Sequence, residues 1–516
     1  MSRGALARAG LVVTGAFLAS RVLGWLRVLV LSNLFGAGED LDAYYAAFRI
    51  PDLMFELVAA GAITSALVPV LSGLIANGER DRAWRVASSV INLMLVALAA
   101  VAILLAVFAP SIVPLLVPGF DEPTTQLTVD LTRLMLLAPI FLAAGSVVSA
   151  ILQTEDRFGA AALAPVVYNA SIIAGALLLS PALGIYGAAI GVVVGAVGHL
   201  LVQVPALRGR FHYSPRVDAG DRAARESFWL MLPRAIGMGA NQITFLVNTA
   251  LASTVAVGAV VSYTVAFSVL QIPLGVIGLP LGIVLLPSMS RALATGQQVE
   301  FGRLVTRALR LLLWMMAFVA AVGIVTREQV VDLLFGWGFD DAALAATAAA
   351  LGVFLLGLPA HGMNVILARA FYSGKDTVTP VSVAIVSVAL NVAISIGTVG
   401  ALGIRGLALG IAVGAWFEAI TLTLLLRRRH HGIEAAPIIG GGALSLAGAI
   451  LAGLVAAAVL ALGPAPEGLP RVAGLVIELG LAAGAGLASY VLYSRLVRLP
   501  ELDRALDLAR AARHGR

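Results

Sequence analysis

An all-α polytopic membrane protein of about fourteen transmembrane helices is the fold class this sequence predicts, and three observations carry it. Of 516 residues, 60% are hydrophobic and 12% charged, against about 25% charged in soluble domains. The apolar residues come in long blocks, among them Val86 to Val117 and Leu311 to Val325. A block of about 20 apolar residues spans a bilayer as a helix that satisfies its own backbone. These blocks are apolar all round, where a soluble core would show amphipathic periods.

Taken in order, the blocks predict helices over Gly10–Phe35, Ala43–Ile75, Val86–Val117, Thr125–Leu152, Ala160–Leu179, Ile185–Leu207 and Glu226–Ser253. The series continues with Val257–Ser290, Arg303–Val325, Ala342–Tyr372, Val378–Val399, Ile404–Leu426, Ile438–Leu462 and Val472–Tyr493. Four blocks exceed one span and need tilt or kinks; Pro69, Pro110, Pro114, Pro273, Pro280 and Pro359 are the kink candidates. Arg3 and Arg8 before an apolar segment suggest a signal peptide, but Arg21 and Arg27 inside that segment make it the first spanning helix. The tail from Pro500 to Arg516 reads as a basic amphipathic helix on the inner leaflet or as a solvated end.

Charge gives the sidedness. With the N-terminus inside, the inner loops hold Arg80, Arg82, Arg85, Arg157, Arg208, Arg210, Arg216, Arg222, Arg225, Arg291, Lys375, Arg427, Arg428 and Arg429. The outer loops hold Glu39, Asp40, Asp121, Glu122, Asp340, Asp341 and Glu467, with Arg327 the exception. This asymmetry predicts a multi-pass protein of the cytoplasmic (inner) membrane with both termini cytoplasmic. The net charge of +6 belongs to those loops and implies no nucleic-acid partner. With no cysteine, disulfides, thiol catalysis and cysteine-held metals are excluded.

The chain repeats itself. Gly184-Ile-Tyr-Gly-Ala-Ala-Ile-Gly-Val-Val-Val-Gly-Ala196 matches Gly403-Ile-Arg-Gly-Leu-Ala-Leu-Gly-Ile-Ala-Val-Gly-Ala415, and Pro69 with Gly78 matches Pro287 with Gly296 at nearly the same offset. The repeats run parallel, which predicts two six-helix bundles, residues 1–212 and 213–430. Two accessory helices at 431–497 and a cytoplasmic tail at 498–516 follow.

Enzyme signatures are absent: there is no HExxH, no GxSxG and no Walker loop. A transporter without ATP hydrolysis is the reading, with no cofactor and with Na+, H+ or the membrane potential as the source of work. The informative residues are charges inside spans, because an arginine at the bilayer centre costs at least ~2.5–3.5 kcal/mol. Arg21 and Arg27 lie in the first helix; Arg49, Asp52 and Glu56 lie early in the second. They suit a site for a phosphate or pyrophosphate, or an internal ion-pair network that fixes packing. His199 and Glu418 occupy equivalent places in the repeat and suit a proton-linked pair or two local polar contacts. Asn248 and Asn391 suit cation binding or interhelical bonds.

At this point the residues resemble a family. Ser20-Arg21-Val-Leu-Gly24, Leu34-Phe35-Gly36-Ala37-Gly38, Asp42-Ala43-Tyr44 and Phe48-Arg49-Ile50-Pro51 are similar to the start of the MurJ/MviN-type lipid II flippases, within the multidrug/oligosaccharidyl-lipid/polysaccharide exporter superfamily. Pro118-Gly119-Phe120, Leu285-Leu286-Pro287-Ser288, Arg369-Ala-Phe-Tyr372 and Asp376-Thr-Val-Thr-Pro380 continue the likeness. The resemblance implies two six-helix lobes, two extra helices forming a lipid groove, and alternating access. It implies undecaprenyl-pyrophosphate bearing the peptidoglycan disaccharide-pentapeptide as substrate, with membrane lipids and the cell-wall synthesis machinery as partners. Arg21 and Arg27 match the family's first-helix arginines, and Asp42 its following acidic residue. Val28 stands where the family commonly has Asp, and Ser268 where it has an arginine; Phe55, Glu56 and Ala60 stand where it has a basic pair and a Glu. Three other readings stand beside this one: a flippase for another polyprenyl-linked glycan or lipid, a cation-coupled multidrug exporter, and a non-transporting partner in cell-wall assembly.

Overall fold

The computed structural model describes residues 3–58, 62–209, 211–215, 242–430, 432–463 and 469–513, of which 3–14, 58, 62–66, 508–509 and 511–513 are described as backbone. Ala60, Gly61, Arg210, Arg216, Arg222, Arg225, Arg234, Glu467 and Arg516 lie outside the described residues. Those described are helical, with no strand among them, and twelve helices are long and apolar enough to cross a membrane. The remaining two expected spans are the second, which is divided, and the seventh, of which only a helix over 242–253 is described.

The chain divides into two compact units, Met1–Val261 and Ser262–Arg516. The first opens with α1 (Arg3–Phe35). The expected single helix over Ala43–Ile75 is three: α2 (Glu39–Ala47), α3 (Arg49–Val58) and α4 (Ala62–Ala76). Pro51 explains the break at Phe48, since a proline is tolerated in a helix's first turn but has no N–H to continue a preceding one. Next come α5 (Arg80–Leu116), α6 (Glu122–Met135), α7 (Leu137–Thr154) and α8 (Phe158–Leu178). After them lie α9 (Ser180–Leu183), α10 (Ile185–Leu201), α11 (Val204–Leu207) and α12 (242–253). Helix α8 packs on α1 and α10, and α7 on α4, α5 and α10. Leu71, Trp84, Leu98, Val113, Val147 and Ile151 centre its core.

α13 (Ala259–Pro273) leads into the second unit, where a π segment at Leu274–Gly278 and α14 (Leu279–Ala294) complete the eighth span. Pro273 and Pro280 bracket the π turn, where their missing N–H groups break the regular ladder. α15 (Gln298–Val325), α16 (Arg327–Phe335), α17 (Asp341–Ser373), α18 (Val378–Leu402) and α19 (Ile404–Arg429) follow. α20 (Ala435–Ala461), α21 (Arg471–Leu496) and α22 (Pro500–Arg513) complete the chain. Pro69, Pro110, Pro114 and Pro359 all sit inside continuous helices. Helix α17 packs on α15 and α19, and α20 on α15 and α21.

The sequence repeat is a backbone repeat. Gly184 has φ 55° and ψ −141°, and Gly403 φ 57° and ψ −138°; each starts the helix after it. Both need glycine because φ is positive. A Cβ at Gly191 would lie 2.9 Å from the Ser171 carbonyl oxygen, and one at Gly410 2.8 Å from that of Asn391. The small residues thus let α10 approach α8, and α19 approach α18, by the same device.

The first turns of the tail dock on the second unit. Leu499 and Leu502 are buried in the α15–α20–α21 core. Tyr490 stacks between Trp314 and Phe318, with ring centroids 5.1 and 5.2 Å away, and its hydroxyl donates to the Trp314 carbonyl at 2.8 Å. Fully buried Glu501 pairs with Arg310 at 2.6 Å and lies 3.7 Å from Arg504. At the start of α18, Asp376 accepts from the Thr379 N–H at 2.9 Å and the Thr379 hydroxyl at 2.6 Å, and it pairs with Arg429. This caps α18 and accounts for the Asp-Thr-Val-Thr-Pro motif.

Glu501→Ala strands Arg310 with most of its side chain covered. The expected cost is ~3–5 kcal/mol, read as a lower thermal midpoint of the purified full chain, with Glu501→Gln costing less. Burial raises the Asp376 carboxyl, but the bonds from Thr379 and Arg429 outweigh it and hold the group below its usual 3.8. Its stabilisation is therefore present above about pH 3.8 and is lost as pH falls through the lower folded value. Midpoints measured against pH should fall less steeply on acidification in Asp376→Asn than in the natural chain.

Candidate functional site

The first unit gathers charge around α3. Arg49 is 9% exposed, its Nε donates to Thr249 Oγ1 of α12 at 2.8 Å, and its guanidinium lies 5.3 Å from the centroid of the Phe245 ring. A guanidinium can be held among apolar helices only if the protein replaces its water; a hydroxyl and an aromatic face do part of this. Asp52, one turn further along α3, lies in the field of both Arg49 and Arg27. Arg27 acts electrostatically on Asp52 and on Tyr44, Tyr45 and Tyr168, which brings α1, α2, α3 and α8 to one locus. Tyr44 is 1% exposed and its hydroxyl has no hydrogen-bond partner among the described residues. Glu56, four residues after Asp52, is half-buried and adds to the acidic side of the locus.

The other predicted residues go elsewhere. Arg21 is exposed and lies over Phe17 of its own helix at 5.2 Å. Asp42 is buried, and its carboxylate accepts from Gly258 N–H and Val261 N–H, both at 2.7 Å. It therefore caps α13 from across the unit. Gly258 has φ +79°, and a Cβ there would lie 2.2 Å from the Ala37 carbonyl oxygen, so only glycine fits this junction. Asn248 is fully buried beside Thr249 on α12.

His199 on α10 packs its ring against Gly145 of α7. Gln203 fixes that contact, donating to the Gly145 and His199 carbonyls at 3.2 and 2.9 Å and accepting from Ser149 at 2.8 Å. In the second unit, Asn391 is buried against Gly410 and Gly414 of α19, and its Oδ1 has no hydrogen-bond partner among the described residues. Glu418 is half-buried on the same helix.

Two features of the second unit escaped the sequence reading. Arg369 of α17 lays its guanidinium over Gly282 of α14, with Nη1 buried and unbonded among the described residues. Its signal was present in the Arg-Ala-Phe-Tyr motif, whose charge sits near a helix end. A cavity of about 470 Å³ opens between α15, α17, α19 and α20, walled by Leu313, Met363, Trp416, Ile438 and Leu446, with Arg427 among its lining. Trp416 is fixed there by its Nε1–H bond to the Leu356 carbonyl at 2.9 Å.

Chemically, the first-unit locus offers two guanidinium groups and tyrosine hydroxyls against one or two carboxylates. Such a donor set is chemically suited to an anion with several oxygens.

Comparison with known proteins places the chain in a family. The family model described as lipid II flippase MurJ matches residues 31–465. The lipid II flippase MurJ of Burkholderia cenocepacia is 32% identical over 435 residues, which is 82% of this chain and 84% of that protein. A probable lipid II flippase MurJ of Rhizobium meliloti is 31% identical over 462 residues, 87% of this chain and 85% of that one. Among solved structures, a lipid II flippase MurJ in an inward closed conformation superposes with a TM-score of 0.79 at 21% identity, covering 94% of this chain and 99% of that one. An inward-facing multidrug transporter of the MATE family superposes at 0.72 and 18% identity, covering 81% and 97%. These two likenesses show a shared fold.

Thr249→Val removes the one hydroxyl shown to receive the Arg49 Nε–H. A bond to a charged group of this kind is worth ~1.5–3 kcal/mol, so thermal or denaturant unfolding of the purified variant should show a loss of that size. No loss would mean that other groups hold Arg49 in place.

Proposed function

Because the chain belongs to the lipid II flippase MurJ family, we propose that it carries lipid II from the inner to the outer leaflet of the cytoplasmic membrane. The observation that carries the site assignment is the meeting of Arg27, Arg49 and Asp52 with the buried Tyr44 hydroxyl in the first unit. A pyrophosphate has oxygens to share between two guanidinium groups, and arginine presents its donors as a planar fork suited to them. The headgroup's anionic oxygens compete with the Asp52 carboxylate for the field of Arg49 and Arg27. Arg21, exposed on the same helix and lying over Phe17, makes an earlier contact on the way in.

The polyprenyl tail needs an apolar path. The cavity between α19 and α20, floored by α15 and α17, offers one of suitable chemistry. The chain lacks a Walker loop, so the work comes from the membrane or an ion gradient rather than from ATP. An inside-negative potential favours outward movement of each negative charge by ~2.3 kcal/mol per 100 mV. With the arginine-rich loops inside, the termini are cytoplasmic and the headgroup enters from the arginine-rich face. His199, Glu418, Asn248 and Asn391 remain the candidates for H+ or Na+ coupling, and the cell-wall synthesis machinery is the partner downstream.

The multidrug-exporter reading has fold similarity in its favour, whereas the family model and the relatives above 30% identity point to lipid II. Arg27→Ala should abolish lipid II translocation in proteoliposomes and fail to support growth of cells depleted of their own flippase, while the folded protein is retained. Arg21→Ala should slow translocation less. Natural rates in Arg27→Ala would reject the assignment.

A further inference from the structure

The first unit carries a second set of cations that shares no residue with the Arg27 locus. Arg80, Arg208 and His212 line a cavity of about 500 Å³, completed by Asp81, Trp84 and Gly209. The cavity is built rather than incidental. Phe211 meets buried Trp84 edge to face, with ring centroids 5.6 Å apart. Ser214 N–H donates to Ser88 Oγ at 3.0 Å, and the Asn92 amide donates to the Ser214 carbonyl at 2.8 Å. The Tyr213 hydroxyl donates to Asn92 Oδ1 at 2.5 Å. These bonds strap the segment after α11 along α5 and fix the wall that bears His212.

The charges are placed to receive an anion. Arg80 stacks over Trp84 at 5.6 Å and is held by Glu155 at 2.5 Å, which aims its guanidinium. Glu79 is turned to Arg82 at 2.8 Å and makes no side-chain cap, so the positive end of the long helix α5 keeps its field. Arg208 and His212 are exposed and form no ion pair among the described residues. Asp81 is the one carboxylate in the lining.

We propose that this pocket is a second anion site, taking a phosphate group either from a lipid headgroup at the membrane surface or free in solution. Arg208 and His212 supply the uncommitted donors, Arg80 the oriented guanidinium, and Trp84 the apolar floor. The site binds without any translocation step, so it stands or falls apart from the proposed function.

The test titrates inorganic pyrophosphate into the full chain by calorimetry, in nanodiscs of phosphatidylcholine. The comparison is with Arg208→Ala/His212→Ala, both exposed, and with Arg27→Ala. The proposal expects at least a tenfold loss of affinity for one class of sites in the double variant, and that class intact in Arg27→Ala. Repeating the titration in nanodiscs containing phosphatidylglycerol separates the sources. Weaker apparent pyrophosphate binding there identifies a lipid headgroup as occupant, and unchanged binding identifies soluble phosphate. Superimposable isotherms for the natural chain and the double variant, or no binding in Arg27→Ala, would overturn the proposal.

Discussion

A charge placed among apolar helices must be solvated by the protein itself, and much of this structure follows from meeting that demand. Arg49 is held by Thr249 and Phe245 and lies in reach of Asp52. Glu501 is held by Arg310. Asp42 is held by two backbone N–H groups at the start of α13. Each solution joins segments far apart in sequence, so the ionic and polar contacts tie together helices that apolar packing alone would leave free to slide. Near Arg27 stands the buried Tyr44 hydroxyl, which has no hydrogen-bond partner among the described residues. An unpartnered buried hydroxyl is costly for stability and offers a donor to an arriving anion.

The glycine positions do the complementary job. Gly184 and Gly403 set the same left-handed entry into α10 and α19, and the glycines after them let those helices press onto α8 and α18. One packing device is used in each unit. The polar residues added to it differ: Asn391 sits at the glycine seam of the second unit, where the first unit has Ser171 and Ile172.

Much of the fold was legible because hydrophobic blocks and glycine punctuation are local signals. The starts of α10, α18 and α19 fall on the residues the sequence indicates, Ile185, Val378 and Ile404. The division of the second span was less legible, although Pro51 marked it, because an apolar run of that length reads equally well as one tilted helix. The π turn near Pro273 and the docking of α22 depended on contacts that no local pattern records. The same holds at the site. Arg27 and Asp52 stood out as charges in apolar surroundings, but Thr249 lies 200 residues from Arg49 and Gly258 lies 216 from Asp42. Arg369 was overlooked because it lies close to a helix end, where a lone arginine ordinarily reaches the headgroups.

The central claim is that the first-unit arginines hold the pyrophosphate of the substrate. A structure of the full chain with lipid II bound tests it most directly. The account predicts pyrophosphate oxygens within ~3.2 Å of the Arg27 guanidinium. Lipid II bound with its pyrophosphate away from Arg27 and Arg49 would contradict it.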